Sequence, residues 1–579
     1  MTIPKSVASA CTLCCLAPIA AAWQSTTSRV NLDSAGNSAL GGGSYRSEVS
    51  ADGRFVVFAS DATNLVPGDT NGATDIFVRD TASGSTARVS VSSAGAQADG
   101  VSAAPSLSAD GRFVVFASDA TNLVAGDTNA QRDIFVRDLL TGQTTRVSVG
   151  SNAVQSDDRS TVGSISGDGR YVAFESRASL AVGDTNGIND IYLRDRQTNQ
   201  TTLVSAALSG PSSAGGSYDP DITPDGRFVA YWSWDSTVVA DANPETDVYV
   251  RDMLTGLTTI ASVDSSGAQV YTAACFGASI SDDGRYVAFA SDGSTFVAGD
   301  TPNTWDYFVH DRVSGATVHV SVDSQGVAAN DFLSNAPPAI SGDGRFVAFA
   351  STASNLVPGD ANGAADVFLH DRLFGLTSLL SANSAGLAGN GLSHRPSLSR
   401  DGHVAVFTSM ATDLIAGDVN GLEDVFRVDG SASAPQTYCT AGVSFNGCEA
   451  QIAASANPSV SGASSCAITV VDVEGQRSAV IFYGTDNSNF SPLPWGSGTS
   501  FMCVKAPQQR TANQNSGGIA GTCSGSLALD WDAYEQSHPS ALGNPWSAGA
   551  QVFVQAWYRD PPSAKSTHLS NAIQLTYLP

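Results

Sequence analysis

Short apolar runs alternate with polar turns along most of the chain, and the alternation itself repeats. The turn Asp-Gly-Arg recurs six times and is followed once by Asp-Gly-His; the aspartates are Asp52, Asp110, Asp168, Asp225, Asp283, Asp343 and Asp401. Successive turns lie 57 to 60 residues apart. A fixed period of this size is typical of repeat architectures, so the fold is best sought in the repeat.

Each repeat contains the same four extended segments. They are exemplified by Pro105–Ser108, Arg54–Ser60, Asp75–Asp80 and Thr144–Val149. Aromatic and β-branched residues fill these segments, and Gly, Asp and Ser separate them, so all four are predicted to be strands. Four strands repeated seven times predict an all-β chain with a seven-bladed β-propeller.

The two ends of the repeat array predict how the propeller closes. The seventh repeat stops at Gly430 without a fourth strand, and a matching segment, Thr27–Leu32, stands near the start of the chain. We expect this segment to pair with Val425–Val428, which would leave no open edge between the first and last blades.

The repeat motif resembles that of a known family. The pattern S-x-D-G-R-[FY]-[VI]-[AV]-F, followed by D-[IV]-[FY]-[VL]-[RH]-D, is similar to the TolB-like β-propeller repeat of secreted and periplasmic bacterial proteins, over about residues 24–430. The resemblance implies a propeller domain, taken as residues 23–430, with a binding or scaffolding role in most members and a peptidase lid in some. A fold does not fix a function.

Acidic loops follow the second strand of most repeats. The spacing D-x-N-x-x-x-D places oxygen ligands that Ca²⁺ prefers, and the alternative is an Asx-turn that delivers the second aspartate to the third strand. Both interpretations stay open for the loops Asp69/Asn71/Asp75, Asp127/Asn129/Asp133, Asp184/Asn186/Asp190, Asp360/Asn362/Asp366 and Asp418/Asn420/Asp424. The DGR arginines and the Arg-Asp pairs of the third strands recur as well, and we interpret them as turn and inter-blade contacts.

Departures from the repeat are stronger candidates for a ligand site. Trp232 and Trp234 stand in repeat four where other units have alanine and usually aspartate, and Trp305 stands in repeat five beside Tyr307. Trp234 and Trp305 occupy equivalent ends of neighbouring long loops. We therefore predict a ligand-binding patch of Trp234, Trp305 and Tyr307 for a sugar ring or a peptide side chain, with local packing as the alternative.

Charge narrows the class of partner. The 579 residues carry 55 acidic against 29 basic side chains, a formal net charge of −26, which argues against a nucleic-acid partner. A hydrophobic content of 42% is enough to bury a core. Much of the acid excess is periodic and falls on the long loops, so it also points to one face of the propeller.

The first residues predict export. A single early cation, Lys5, precedes an apolar run and the small residues Ala20–Ala22, so residues 1–22 read as a signal peptide. No other stretch is long and apolar enough for a membrane helix. We expect a secreted or cell-surface protein, with the periplasm as the alternative.

A second domain follows a linker at 431–435. Residues 436–579 contain short strand-like runs and five cysteines, which predict a small β-sandwich-like, disulfide-containing domain. Its motifs, among them YC-x8-C and QAWYRDP, are similar to a C-terminal module of other secreted bacterial repeat proteins. We expect Cys439 to pair with Cys448 and Cys503 with Cys523, with Cys466 left over.

No catalytic motif stands out. G-x-S-x-G, H-E-x-x-H and G-x-x-x-x-G-K-[ST] are all absent. The prediction is a non-enzymatic binding or scaffold module for an extracellular protein or glycan, with Ca²⁺ as the candidate stabilising ion and no other cofactor. An extracellular glycoside hydrolase or lyase and a structural surface component are the alternatives.

Overall fold

The structure is a computed structural model that describes residues 26–577 apart from 208–214, 236, 240–242, 271–272, 298–303, 332–335, 431–435, 439–440, 442–443, 445, 456, 459–465, 486–492, 495–500, 507, 544–545, 547–549 and 560–566. The chain divides into two compact units, one within 24–432 and one within 433–579. The predicted signal peptide and linker lie outside the described residues.

The first unit is built from strands alone in its described part. In chain order they are β1 (Thr26–Arg29), β2 (Ser44–Val49), β3 (Phe55–Ser60), β4 (Asp75–Asp80), β5 (Ser85–Arg88), β6 (Ser102–Leu107), β7 (Phe113–Ser118), β8 (Asp133–Asp138), β9 (Gln143–Arg146), β10 (Ser160–Ile165), β11 (Tyr171–Ser176), β12 (Asp190–Asp195), β13 (Gln200–Leu203), β14 (Ser217–Ile222), β15 (Phe228–Ser233), β16 (Asp247–Asp252), β17 (Leu257–Ile260), β18 (Cys275–Ile280), β19 (Tyr286–Ser291), β20 (Asp306–Asp311), β21 (Thr317–His319), β22 (Ala339–Ile340), β23 (Phe346–Ser351), β24 (Asp366–Asp371), β25 (Leu376–Leu379), β26 (Ser393–Leu398), β27 (Val404–Ser409) and β28 (Asp424–Asp429).

These strands form four-stranded antiparallel sheets in which sequence neighbours pair. Sheets one to six hold β2–β5, β6–β9, β10–β13, β14–β17, β18–β21 and β22–β25, and sheet seven holds β26–β28 with β1. The first strand of each sheet contacts the first strand of the next, and β26 contacts β2, so the sheets form a closed ring. This is the topology of a β-propeller.

The ring is closed by the start of the chain, as the sequence predicts. β1 pairs antiparallel with β28, with Thr27 opposite Val428 and Arg29 opposite Phe426. Sheet seven is thereby completed to four strands like the other sheets, with β1 in the outer place that β5 has in sheet one.

The core lies between neighbouring sheets. The second strands are buried on both faces because each sheet packs between two others, and Val56, Val57 and Phe58 of β3 are all fully buried. Phe58 stacks on Phe77 of the adjacent strand with 5.9 Å between ring centroids, and this pair recurs in other sheets. Burial on both faces explains why the second strands read as continuous apolar runs.

The Asp-Gly-Arg turns join the sheets into a second ring of hydrogen bonds. The backbone N–H of Ala51 donates to the carbonyl of Ala109 at 3.1 Å, and the same step links one turn to the next around the ring. The donors and acceptors in order are Ala51, Ala109, Gly167 and Pro224, then Asp282, Gly342 and Arg400, which donates back to Ala51. The series breaks after Pro224 because proline has no N–H to donate.

The arginines of the turns tie strands together, which confirms their interpretation as architecture. Arg54 donates to both carboxylate oxygens of Asp80, through Nε at 2.8 Å and Nη2 at 2.7 Å. The same pair recurs in sheets two to six. Arg79, the neighbour of Asp80, donates instead to the carbonyls of Leu32 and Asp33 in the loop from the preceding sheet.

The second unit has two main sheets and one short helix in its described part. Its elements are β29 (Gln436–Tyr438), β30 (Gln451–Ala454), β31 (Ala467–Val473), β32 (Ser478–Gly484), β33 (Leu493–Pro494), β34 (Phe501–Met502), β35 (Gln509–Arg510), β36 (Gln514–Asn515), β37 (Gly525–Asp530), α1 (Trp531–Ser537), β38 (Gln551–Arg559) and β39 (Thr567–Thr576). One sheet runs β29-β39-β38-β32-β35, with β36 also on β32, and the other runs β30-β31-β37.

One core serves both of these sheets. Ile468 and Val470 of β31 cluster with Ile481 of β32 and Val554 of β38, and Trp531 of α1 covers the cluster. The indole N–H of Trp531 donates to the hydroxyl of Tyr577 at 2.9 Å, which satisfies its polar atom inside the core. No helix in the part of the chain that the structure describes is long and apolar enough to cross a membrane.

The predicted disulfide pairs are wrong. Cys448 bonds to Cys523, with 5.3 Å between the Cα atoms. β30 and β37 both pair antiparallel with β31, so they run in the same direction and their first residues lie at the same end of the sheet. Cys448 and Cys523 stand just before these two strands, and sheet order rather than sequence spacing brings them together.

The remaining cysteines divide between bonded and free. Cys503 is disulfide-bonded, and Cys439 lies outside the described residues. Cys275 and Cys466 are free and buried. The expectation that Cys466 is left over is confirmed.

Candidate functional site

The first strands of the seven sheets line a central channel that encloses a cavity of about 930 Å³. The turn ring formed by Ala51, Ala109, Gly167, Pro224, Asp282, Gly342 and Arg400 lies at one end, called here the turn end. The other end, called here the loop end, carries Arg46, Asp219, Trp234, Trp305 and Arg395. It is the end from which the long connections between second and third strands emerge.

A bulge in the first strands turns side chains of the loop end toward the channel. In β2 the pairing with β3 shifts register between Tyr45 and Glu48, and Arg46 has φ of 51°. The equivalent residues Ala104, Asp219 and Arg395 have φ of 48°, 47° and 53°. A left-handed backbone costs a residue other than glycine about 1 kcal/mol, and such residues are found disproportionately at functional positions.

The middle of the channel is held by hydrogen bonds between neighbouring sheets. The fifth residue of a first strand accepts the backbone N–H of the sixth residue of an adjacent first strand, and serine is the usual acceptor, as where Val49 of β2 donates to Ser397 of β26 at 3.3 Å. Glu48 and Asp221 replace serine in β2 and β14. Glu48 accepts from Leu107 N–H at 3.4 Å, and Asp221 from Ile280 N–H at 3.0 Å.

These two carboxyl groups are deeply enclosed even though part of each residue faces the channel. Burial is the main cause that raises the pKa of Glu48 to about 8 and that of Asp221 to about 6, and hydrogen bonds from Ser106 and Ser279, respectively, act in the opposite direction. Near neutral pH, Glu48 therefore keeps its proton, and the middle of the channel carries less negative charge than its residue types suggest.

The loop end differs from sheet to sheet. At the fifth position of the second strand, the sheets carry in order Ala59, Ala117, Glu175, Trp232, Ala290, Ala350 and Thr408. The residues just before the third strand are Thr74, Arg132, Asn189, Thr246, Trp305, Ala365 and Glu423. Each sheet thus presents its own small group of side chains there, at the ends of strands that pair in the same order in every sheet.

Aromatic residues gather at the loop ends of sheets four and five. The ring of Trp232 stacks on Tyr218 at 4.5 Å between centroids, and its N–H donates to Asp219 at 3.0 Å. Trp305 packs against Phe276 at 4.8 Å. Trp234 has no ring partner in the described residues and is 53% exposed, so its faces are accessible to a ligand.

Polar pairs occupy other sheets at this level. Arg132 binds Asp119 through Nε at 2.8 Å and Nη2 at 2.5 Å, and His394 Nε2 lies 2.5 Å from Glu423 Oε1. Glu175 accepts from the Thr161 hydroxyl and the Asn189 amide, both at 2.7 Å.

Glu175 lies behind the channel wall instead of on it. It is 6% exposed, it is not among the residues that line the cavity, and burial raises its pKa to about 7.

The predicted site residues are only partly brought together. Trp234 and Trp305 line the same cavity, together with Trp232. Tyr307 is fully buried, packs with Val347 and Phe349 of the next sheet, and donates its hydroxyl proton to the carbonyl of Ala336 at 2.7 Å. Its side chain therefore belongs to the packing between sheets and does not reach the channel.

Sequence reasoning missed Arg46, Asp219, Arg395 and Glu175. The signal was present in the repeats, because each of these residues is charged in a column that is mostly uncharged. The third position of the first strand reads Arg46, Ala104, Val162, Asp219, Gly277, Pro337 and Arg395. Aligning the least regular strand of the repeat would have exposed this column.

The acidic loops of the first unit contain Asx-turns. The side-chain oxygen of Asn71 accepts the backbone N–H of Ala73 at 3.1 Å, and its amide donates to Asp75 at 3.2 Å. The same backbone contact is made by Asn129, Asn186, Asn362 and Asn420. The turn interpretation therefore describes the geometry of all five loops.

In three sheets an arginine from the outermost strand lies between the two aspartates of the loop. Arg146 Nη1 is 3.1 Å from both Asp127 and Asp133. Arg88 and Arg29 take the same place in sheets one and seven. The described residues contain no group of three or more His, Cys, Asp or Glu side chains arranged to hold a metal.

Sheets three and six lack this arginine. Leu203 and Leu379 stand at the equivalent register positions. In sheet six, burial raises the pKa of Asp366 to about 6, and the nearby Asp360 adds to the shift.

Comparison with known proteins adds little beyond the fold. No protein-family model matches the chain, and no curated protein matches it. Similar solved structures include TolB from Acinetobacter baumannii, at 14% identity and a TM-score of 0.34 over 57% of this chain and 63% of that one. A putative TolB from Agrobacterium tumefaciens is 17% identical, with a TM-score of 0.33 over 59% and 92%.

A third similar structure is an oligogalacturonate lyase from Vibrio parahaemolyticus, at 11% identity and a TM-score of 0.40 over 70% of this chain and 91% of that one. The chain thus spans less than two thirds of the Acinetobacter TolB. TolB proteins are among the structures that the chain resembles, as the repeat motif predicts. At these identities the likeness concerns the fold at most, and the propeller assignment rests on the sheet topology given above.

Proposed function

We propose that the chain is an extracellular or periplasmic binding module, a seven-bladed β-propeller that takes its ligand at the loop end of the channel, followed by a β-sandwich-like domain. The observation that carries this proposal is a contrast along one channel: the turn end is built on backbone hydrogen bonds and Arg–Asp pairs that recur from sheet to sheet, whereas the loop end presents a different group of side chains in each sheet. Side chains that depart from a repeat on a conserved backbone are free to serve recognition.

Chemistry of the loop end supports a binding role. Trp232, Trp234 and Trp305 line one side of the cavity, and tryptophan supplies a large apolar contact with a polar N–H at its edge. Among the described residues of the loop end, Glu175 has a pKa raised to about 7, but it lies behind the wall, bonded to Thr161 and Asn189. Glu48 and Asp221 lie deeper in the channel and accept hydrogen bonds from the neighbouring sheets. A non-enzymatic role is part of the proposal.

Export of the chain is also part of the proposal. The Cys448–Cys523 disulfide supports it, because disulfides persist in oxidising compartments such as the periplasm and the extracellular space.

The test is binding to arrays of extracellular oligosaccharides and of peptides. We expect Trp234→Ala and Trp305→Ala each to weaken the bound signal at least tenfold. Leu254→Ala is the matched control, because Leu254 is a 77% exposed apolar residue of the same unit that does not line the cavity. An array without any bound ligand, or a ligand that both tryptophan variants bind normally, would contradict the proposal.

Calcium binding is proposed only for the loop of Asp360 and Asp366, where no arginine of the described residues lies between the carboxylates. A buried pair of aspartates without an arginine between them favours a cation, and extracellular calcium is millimolar. We expect 2 mM Ca²⁺ (roughly the extracellular level) to raise the melting temperature relative to chelator, and Asp360→Asn to reduce the rise. An equal melting temperature in both solutions would leave the Asx-turn as the whole role of this loop.

A further inference from the structure

Arg46 and Arg395 are the most unusual pair of side chains in the channel. They occupy the same position in β2 and β26, the first strands of sheets one and seven, which are neighbours in the ring. Both line the cavity, and both have a left-handed backbone, with φ of 51° and 53°. The fold thus accepts two strained positions that turn two cations toward the same space.

Neither arginine forms a hydrogen bond or an ion pair with any residue that the structure describes. This is unexpected in a chain with 55 acidic residues. The acids nearest to Arg395 are already engaged: Glu423 lies 2.5 Å from His394, and Asp219 accepts the N–H of Trp232 at 3.0 Å.

The environment of Arg395 disfavours its charge. Burial lowers the pKa of Arg395, and the like charge of Arg46 lowers it further, while Asp219 and Glu423 act in the opposite direction. Two guanidinium groups that repel each other and have no partner among the described residues would be stabilised by an anion, because a bound carboxylate would relieve the repulsion and accept hydrogen bonds from both groups.

The aromatic residues face this pair across the channel. Trp232 and Trp234 belong to sheet four, which is three sheets away from sheets one and seven in either direction around the ring, and Trp305 belongs to the next sheet. A ligand held by the arginines would therefore present its other side to tryptophan faces. A sugar ring packs against such faces, while its carboxylate reaches the arginines.

We propose that the loop end of the channel binds a uronate, a sugar residue whose carboxylate is held between Arg46 and Arg395 while its ring packs against Trp234. This inference rests on the proposed function, since it names the ligand class of the same site. Guanidinium groups match a planar carboxylate in a bidentate manner, which favours a carboxylate over a neutral sugar.

The experiment compares two ligands that differ only in charge, using the full-length mature protein. Calorimetric titration is carried out with a β-1,4-linked glucuronate trimer and with cellotriose, its counterpart with a hydroxymethyl group in place of each carboxylate. We expect the uronate trimer to bind at least tenfold more tightly than cellotriose, and we expect added salt to weaken the difference.

Variants then assign the charge effect to residues. Arg46→Gln and Arg395→Gln should each weaken uronate binding at least tenfold and leave cellotriose binding unchanged. Arg112→Gln is the matched control, because Arg112 is an arginine of the turn end bonded to Asp138 and should leave both titrations unchanged. Thermal melting of each variant excludes unfolding as the cause of a loss.

The outcomes separate this inference from the proposed function. Equal affinity for both trimers, lost in Trp234→Ala but unaffected in the arginine variants, would overturn the uronate proposal and leave a neutral-sugar site standing. Binding of triglutamate without binding of the uronate trimer would overturn it in favour of an acidic peptide. Absence of binding to all three ligands would contradict the uronate proposal, and the array experiment would decide the proposed function separately.

Discussion

At the turn end of the channel the same backbone hydrogen bonds and Arg–Asp pairs recur from sheet to sheet, although the residue that lines the channel varies, whereas at the loop end the contacts between side chains differ in each sheet. The turn end is defined by backbone hydrogen bonds from turn to turn and by the recurring pair exemplified by Arg54 and Asp80. The loop end has Arg46 in one sheet, Glu175 in another and Trp232 in a third. Both ends belong to the same strands, so the difference cannot come from the fold.

Charge in a repeat protein has to be interpreted position by position. An arginine that recurs beside its aspartate is part of the scaffold, and an arginine that occurs in only some sheets and lacks a partner is available to a ligand. The net charge of −26 averages over both kinds of position. Much of the acid is already matched by arginine within the loops and turns, so the excess is a poor guide to what the channel binds.

The largest expected effect comes from close packing at the turn end. Gly169 has φ of 73°, and a Cβ atom there would lie 2.1 Å from Cδ2 of Phe113 in the preceding sheet. Gly169→Ala should therefore lower the free energy of unfolding by about 3 kcal/mol, the sum of a left-handed alanine and an overpacked contact. Chemical denaturation measures the loss.

Gly126→Ala is the control for that measurement. Gly126 has φ of 81°, but no atom lies within 4 Å of the added Cβ, so the cost should be the backbone term of about 1 kcal/mol alone. Equal losses in the two variants would contradict the importance of contacts between turns.

The next effect is a dependence of stability on pH from the middle of the channel. Burial raises the pKa of Glu48 from 4.5 to about 8. Between these two pH values the unfolded chain gives up the proton while the folded chain keeps it, so the free energy of unfolding falls as pH rises, by up to about 1.4 kcal/mol per pH unit. Glu48→Gln keeps the acceptor and removes the titration.

The melting temperature of Glu48→Gln minus that of the parent should therefore increase between pH 5 and pH 8, and this difference should level off above pH 8. Glu449→Gln serves as the control, because Glu449 is exposed in the second unit. A difference between Glu48→Gln and the parent that stays constant with pH would mean that Glu48 is already ionised in the folded protein.

The features that repeat between sheets could be predicted from the sequence, whereas the side chains that differ between sheets at the loop end could not. The strands, the period and the closing strand at Thr26–Arg29 were predictable, because a pattern that occurs in seven repeats remains visible when a single repeat is irregular. Arg46 and Arg395 were not found because the first strand is bulged, and its columns align poorly. The Cys448–Cys523 pair depended on sheet order, which spacing along the chain does not contain.

The prediction that Tyr307 belongs to the ligand-binding patch was wrong, although the other repeats already indicate that its position is apolar. It follows Asp306 in β20, and the same column holds Ile76, Ile134, Ile191, Val248, Val367 and Val425, all buried. A departure from the repeat in an apolar column changes packing, whereas a departure in a channel-facing column changes recognition. Chemical type alone, here an aromatic ring near two tryptophans, does not distinguish them.

A smaller effect is therefore expected for Tyr307→Phe. The substitution removes the hydrogen bond to the carbonyl of Ala336 and leaves the ring in place, so it should cost about 1 kcal/mol of unfolding free energy. Ligand affinity should not change. Reduced affinity at normal stability would return Tyr307 to the binding site.

The smallest effect is expected for Cys275. This residue faces the core, differs from the residue at the same position in other repeats, and can be replaced by that residue. Cys275 occupies the first position of β18, where other sheets have Ser44, Ser102, Ser160, Ser217 and Ser393. Its thiol lies 3.3 Å from the Ser291 hydroxyl, in place of the pair that Ser102 and Ser118 form at 3.0 Å. Cys275→Ser rebuilds the common pair in a site of nearly the same size.

We therefore expect Cys275→Ser to change the free energy of unfolding by less than about 1 kcal/mol and ligand affinity not at all. Arg395→Ala would likewise copy another sheet, since Ala104 stands at that position in sheet two with nearly the same left-handed backbone, yet it should abolish the charge-dependent part of binding. If both substitutions left stability and binding unchanged, facing the channel would not distinguish functional departures from structural ones. If Cys275→Ser changed neither property while Arg395→Ala melted normally but lost the ligand, recognition would be tied to the loop end alone.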